Sequence, residues 1–355
     1  MWLEGADVVS AGPSAPLISL SASRLLFRSG GQAELSVATQ ALDATTENDL
    51  RISSTLADIE LVDLNEDLFA LQTIAPTASL ALYSAGSFTV SDLVQSGQHS
   101  TLVAANDARL EATITAVNGD IFIRAENATI EGIPGQIDGI LVNDSLSVTS
   151  GSVLLQSLGD IHQQAGISSA AGSVGLLSSG DILQTANVAA GNDVFIDAGG
   201  NFTQSSGSST TAGGTLQVIS GGSQRLGLLS AGHIALDATG DVLDNNGANT
   251  LNLRADTVRI VAGGIIGGSD LANSPDANGN AIDMNVGTIA ARSVQGIYLQ
   301  ELANGGALVV GHVQGSASVT VSVLVNQVRF NSTTSTVSAG DVAGTNLKPL
   351  DDLET

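Results

Sequence analysis

The chain contains no cysteine, so no disulfide framework can hold it together. Lysine occurs once, at Lys348. The 11 basic residues face 35 acidic ones, a net charge of −24 that disfavours nucleic acid and anionic lipid as partners. Aromatic residues are scarce at 3%, with a single tryptophan, and there are only six prolines. No apolar run approaches the length of a membrane span, so no membrane insertion is expected. Met1-Trp2-Leu3-Glu4 lacks a basic stretch followed by an apolar core, which fits either a cytosolic protein or a segment of something longer, and the segment is the expectation.

What is present is small and apolar. Hydrophobic residues reach 43% while charged residues are only 13%, which separates this chain from an acidic disordered tail. Forty-one glycines punctuate runs of Ala, Ser, Thr, Val, Ile and Leu, a composition of short strands and tight corners.

A short phrase recurs: glycine, then Asp or Asn, then a β-branched or aromatic residue. It stands at Gly119-Asp120-Ile121, Gly159-Asp160-Ile161, Gly180-Asp181-Ile182, Gly200-Asn201-Phe202 and Gly240-Asp241-Val242, with offsets of 40, 21, 20 and 40. A second phrase runs about half a turn away, at Gly151, Gly172, Gly191, Gly213 and Gly232, each leading into apolar residues two apart. Self-similarity at about 20 residues marks a stacked solenoid, and the alternation marks strands with one buried face. The expected fold is an all-β, right-handed parallel β-helix of about 20 residues per rung, some fifteen rungs rising about 4.8 Å each. Glycine is expected at the corners for its tolerance of positive φ, and Asp/Asn for closing the turn on local backbone.

The expected organisation is a linker or tag remnant at 1–16 and a continuous helix over 17–342. Within the helix, 17–110 holds divergent rungs that lack the glycine phrase, and 268–283 is a loop thrown out from one rung. Val319, Val321, Val323 and Val325 make a last strand row, and 343–355 reads as a flexible tail or junction.

Ser179-Gly-Asp-Ile-Leu-Gln-Thr, Ala198-Gly-Gly-Asn-Phe-Thr-Gln and Ala212-Gly-Gly-Thr-Leu-Gln-Val resemble the repeats of filamentous haemagglutinin-like large secreted adhesins of Gram-negative bacteria. Ile265-Ile-Gly-Gly, Asp283-Met-Asn-Val-Gly-Thr-Ile and Gly296-Ile-Tyr-Leu-Gln-Glu-Leu extend the resemblance, which covers roughly 110–315. It implies a secreted or cell-surface location and a shaft-like role. The family's amino-terminal secretion domain carries Asn-Pro-Asn motifs, and this chain has no Asn-Pro pair, as an internal fragment would.

Parallel β-helices also include polysaccharide lyases and hydrolases, so the carboxylates are candidates for chemistry. Asp160 and Asp181, one period apart, would lie about 5 Å from each other on adjacent rungs, with Asn201 and Asp241 further along. Such a pair can do acid/base work or bind a divalent ion; equally, it can be a row of turn residues facing water. No catalytic residue is assigned: the sole lysine lies in the tail, and Arg225, Arg254, Arg259 and Arg292 do not cluster with the stack. His99, His162, His233 and His312 have no metal-ligand spacing, and Gly-x-Ser-x-Gly is absent. The glycine pairs are not followed by Gly-Lys-Ser/Thr, which excludes a phosphate loop. Asp276, Asn278 and Asn280, with Asp283 downstream, place oxygen ligands at alternate positions and make calcium the one ion to look for; no other cofactor is expected. Threonines at Thr185, Thr203 and Thr211 keep no register for an ice-binding face.

The expected function is a structural or adhesive segment supporting adhesion, filament or matrix formation. Its expected partners are neighbouring segments of the same long chain, other copies end to end, and glycans. The alternative is a carbohydrate-active β-helix enzyme using stacked carboxylates.

Overall fold

A computed structural model describes residues 2–5, 18–56, 58–64, 66–126, 138–247, 250–268, 281–302, 308–314, 318–323 and 328–329. The described residues hold no helix. The chain is a parallel β-solenoid of about 12 turns at about 21 residues per turn, fewer than the fifteen expected. It divides into two compact units, 1–180 with 189–191, and 181–188 with 192–355.

In the first unit, Ile121–Ala125, Val153–Ser157 and Val174–Ser178 stack in register, so Ile121, Val153 and Val174 form one inward row and Ile123, Leu155 and Leu176 the next. Alternate residues are buried because each strand covers the interior with one face only. The third inward position is small, Ala125, Ser157 and Ser178, because the backbone bends there. Ser178 uses its hydroxyl at that bend, donating to the Gly159 carbonyl at 2.6 Å and accepting the Gly180 N–H at 3.0 Å. Burying each Leu or Ile of such a row stabilises the fold by roughly 1.5–3 kcal/mol, and only stacking supplies the cover.

The early turns are built differently. Ile18–Ser21, Ala33–Ala38 and Leu50–Ser54 follow one another at a 17-residue spacing, with Arg24–Ser29 pairing Ala41–Thr46 between them. These turns therefore have two strands. The Ala41–Thr46 strand then divides its pairing: Ala41 and Leu42 face Asp58–Leu61, while Ala44 to Thr46 face Phe69–Thr73. Beyond it each turn has three strands. Trp2–Gly5, inside the stretch expected as a linker, pairs in parallel with Arg24–Ser29, since an open strand edge offers its backbone groups a partner.

The second unit reverses this change. Phe202–Gln204, Ser209–Ala212 and Thr215–Ser220 are separate strands of one turn, but Leu253–Ala262 continues both the Leu228–Ser230 and His233–Ala238 columns as one strand. Leu253–Ala262 pairs in turn with Ile282–Ser293. Asp283 therefore belongs to a strand; the rest of the expected 268–283 loop beyond Gly268, up to residue 280, lies outside the described residues, as does the 343–355 tail. Ser318–Val323 contains three of the four valines of the expected last row, and Val325 lies outside the described residues.

Candidate functional site

The recurring carboxylates act between turns. In the second unit the Asp181 carboxylate accepts the Asn201 N–H at 2.6 Å, and the Asn201 side-chain oxygen accepts the Ser223 N–H at 2.9 Å. Asp241 accepts the Ile265 N–H at 2.8 Å, and on a neighbouring corner Asp193 accepts the Thr215 N–H at 2.7 Å. In the first unit Asp120 accepts the Ser152 N–H at 2.7 Å and Asp107 the Gly139 N–H at 2.8 Å. Closing of each turn on its own backbone is the expectation; these side chains instead stitch their turn to the following one. The backbone N–H at a bend points along the stack and lacks a strand partner, so the carbonyl-like oxygen one turn below satisfies it.

The glycines also have a different reason from the one expected. Among the described glycines only Gly139, Gly207, Gly247 and Gly267 have left-handed φ, and none belongs to the repeated phrases. Space is the reason at several corners, where an added Cβ would force its neighbour to move. A Cβ on Gly180 would come within 2.1 Å of Asp160 Oδ1, and one on Gly264 within 1.9 Å of Asp241 Oδ1. Glycine in one turn makes room for the acid of the turn before.

Gly119 belongs to the second phrase, not the first. A Cβ on Gly151 would strike the Gly119 carbonyl oxygen, and Gly172 stands in the same relation to Gly151. The turn from Ile121 to its partner Val153 is 32 residues long, so the offset of 40 between Asp120 and Asp160 is not two periods. Asp160 opens the Asp160–Gln163 strand of the first unit, its N–H donating to the Asp138 carbonyl at 2.7 Å. Asp181 belongs to the second unit with Asn201 and Asp241.

Of the four expected calcium ligands, Asp276, Asn278 and Asn280 lie outside the described residues. Asp283 is fully buried and its N–H donates to Asn252 Oδ1 at 2.9 Å. Among the described residues no three His, Cys, Asp or Glu side chains are grouped to hold a metal ion. His99 Nδ1 accepts the Asp120 N–H at 3.1 Å, and His233 Nδ1 lies 2.7 Å from the Thr257 hydroxyl. Both therefore serve corners. His162 is half-buried in its strand, and the backbone of His312 lies in Leu308–Gln314.

Sequence reasoning missed three groups. Gln184 and Gln204 stand opposite each other on adjacent strands, fully buried. Gln184 Nε2 donates to the Ala186 and Ser209 carbonyls, and its Oε1 accepts the Thr210 hydroxyl, so the amide closes a corner from inside. The signal was present as Gln two residues after the inward Ile or Phe of the first phrase. Asp43 is buried on the outer side of the Ala41–Thr46 strand, bonded to Arg28 at 2.6 Å and accepting the Leu64 N–H at 2.8 Å. Burial raises its carboxyl above the usual aspartate range, outweighing the downward pull of Arg28 and Leu64. Glu301, 3% exposed, accepts the Val286 N–H at 3.2 Å, and burial pushes it up to about 7 against that bond.

One cleft of about 700 Å³ opens on the second unit, lined among others by Ser209, Leu228, Asn246, Leu251, Arg254 and Asn285. Its lining contains one arginine and no carboxylate. A smaller one of about 470 Å³ on the first unit includes Asp58 and Glu60. Comparison with protein-family models, with curated proteins and with solved structures finds no match.

Proposed function

We propose that this chain is a structural repeat segment of a larger secreted or cell-surface bacterial protein, a shaft that supports adhesion, filament or matrix formation. The supporting observation is that Asp120, Asp181 and Asp241, with the Asn201 amide, accept backbone N–H groups of the following turn. A carboxylate held in that way serves stacking and is a poor acid/base group, because protonating it breaks the bond that positions it. The resemblance of the 110–315 repeats to filamentous haemagglutinin-like adhesins gives this reading its cellular setting. A glycan partner and end-to-end association with further segments belong to the same reading.

The test is to incubate the full chain with a panel of plant, bacterial and host polysaccharides and follow new reducing ends and unsaturated products. The expected result is no turnover with or without calcium. Cleavage that disappears in Asp160→Asn or Asp181→Asn would overturn the shaft reading in favour of a carbohydrate-active enzyme.

A further inference from the structure

We infer that the cleft of the second unit is a binding site for a short carboxylate-bearing saccharide, with Arg254 as its anion anchor. The inference stands on the cleft itself and goes beyond the shaft reading.

The floor crosses four successive turns. Ser209 pairs with Leu228, the next turn brings Arg254, and Asn285 is the strand partner of Arg254 in the turn after. At about 4.8 Å between paired strands the floor runs roughly 14 Å, the reach of a short oligomer. One side of the cleft is lined by Asn246, Thr250 and Leu251, and its polar groups are held in advance. Asn245 Nδ2 donates to the Gln204 carbonyl at 2.7 Å, and Asn246 Nδ2 to the Leu251 carbonyl at 2.8 Å. Asp244 accepts the Asn246 N–H at 2.7 Å and the Asn252 side-chain amide at 2.7 Å. A wall held this way costs a ligand little ordering.

The chemistry of the lining selects the class. The strands beneath are already paired to their neighbours, so a peptide finds no free strand edge to extend. What faces the cleft is hydroxyl, amide and leucine: Ser209, Asn285, Leu228 and Leu251. Those groups match the alternating hydroxyl and C–H faces of a sugar ring. Arg254 is exposed and, among the described residues, makes no ion pair. Its guanidinium fork fits a carboxylate with two parallel bonds. The net charge of −24 opposes any anion at long range. That repulsion is screened beyond about 8 Å at physiological salt, whereas a direct Arg–carboxylate pair is not.

The experiment is calorimetric titration of the full chain with trigalacturonate, with the neutral galactose trimer, and with tri-glutamate as an acidic peptide. Saturable binding of trigalacturonate is expected, weakened about tenfold or more by Arg254→Gln. Asn285→Trp, which fills the cleft and leaves the charge in place, should abolish it. Thermal melts of both variants check that they fold. The proposal is overturned by no binding of trigalacturonate, by equal affinity for the neutral trimer, by unchanged affinity in Arg254→Gln, or by tri-glutamate binding more tightly through the same arginine.

Discussion

At the scale of the residue, the repeated Gly-Asp phrase couples two turns. The Asp241 carboxylate reaches the Ile265 N–H, and Gly264 is glycine because that carboxylate occupies the place of its Cβ. Gly264→Ala is expected to cost about 1–3 kcal/mol through the forced displacement. Asp241→Ala alone should cost about 1 kcal/mol for the lost bond. Combined, the two should cost less than their sum, since removing the acid frees the space the methyl needs. Chemical denaturation of the four proteins measures that coupling, and strict additivity would refute the steric account.

The phrase was legible as a period, but its reason was not. Sequence shows that Gly precedes Asp along the chain; the relation that matters runs between one turn's Asp and the next turn's Gly, and is visible only once register is known. Gly119 reads as a member of the first row for the same cause, because the 32-residue turn after Ile121 shifts the count.

At the scale of the element, burial patterns separate ordinary strands from special ones. Val153–Ser157 and Val194–Ala198 alternate, and their inward rows were readable from apolar residues two apart. Ala41–Thr46 is buried along its whole length, with the Asp43 side chain taken up by Arg28 and Leu64 N–H from outside. No local pattern announces this, since the cover comes from residues some twenty positions away. Gly296–Glu301 ends in three successive buried residues, the last an acid. Glu301 titrates from 4.5 in the unfolded chain to about 7 in the fold, so the fold holds its proton more tightly than the unfolded chain does. Its contribution to stability is therefore complete below about pH 4.5 and lost progressively as pH rises to about 7, a change on the order of 3 kcal/mol. Asp43 acts in the same direction, starting from a lower pH. Thermal melts between about pH 5 and pH 8 should show Tm falling with pH, and Glu301→Gln should flatten most of that slope. An unchanged slope in the variant would show that Glu301 is not its source.

At the scale of the whole molecule, stability is a sum over turns and their interfaces. The solenoid class followed from the period, because only stacking buries rows that no single turn can cover. The two-strand turns near the start escaped notice: their 17-residue spacing lacks the glycine phrase, and alternation alone does not report how many strands make a turn. Register makes a direct test possible. Val153 stacks on Ile121 and Val174 on Val153, so deleting residues 153–173 removes one 21-residue turn and lets Val174 meet Ile121. That deletion is expected to give a folded β protein with Tm lowered by a few degrees, seen by circular dichroism. Deleting ten residues, 153–162, removes half a turn, exchanges the rows and should prevent cooperative folding. Equal tolerance of both deletions would refute the register.

Four of the inter-turn acceptors at the repeated corners, three carboxylates and one amide, point one way. Asp120, Asp181, Asn201 and Asp241 all accept from a residue later in the chain. As the polypeptide emerges amino terminus first, each completed turn displays acceptors for backbone that has not yet arrived. The finished edge is thus a template and the incoming segment its copy, so growth has a built-in arrow. A chain released in that order meets a prepared docking line at every step, while one released in reverse would present bare N–H groups with nothing to receive them.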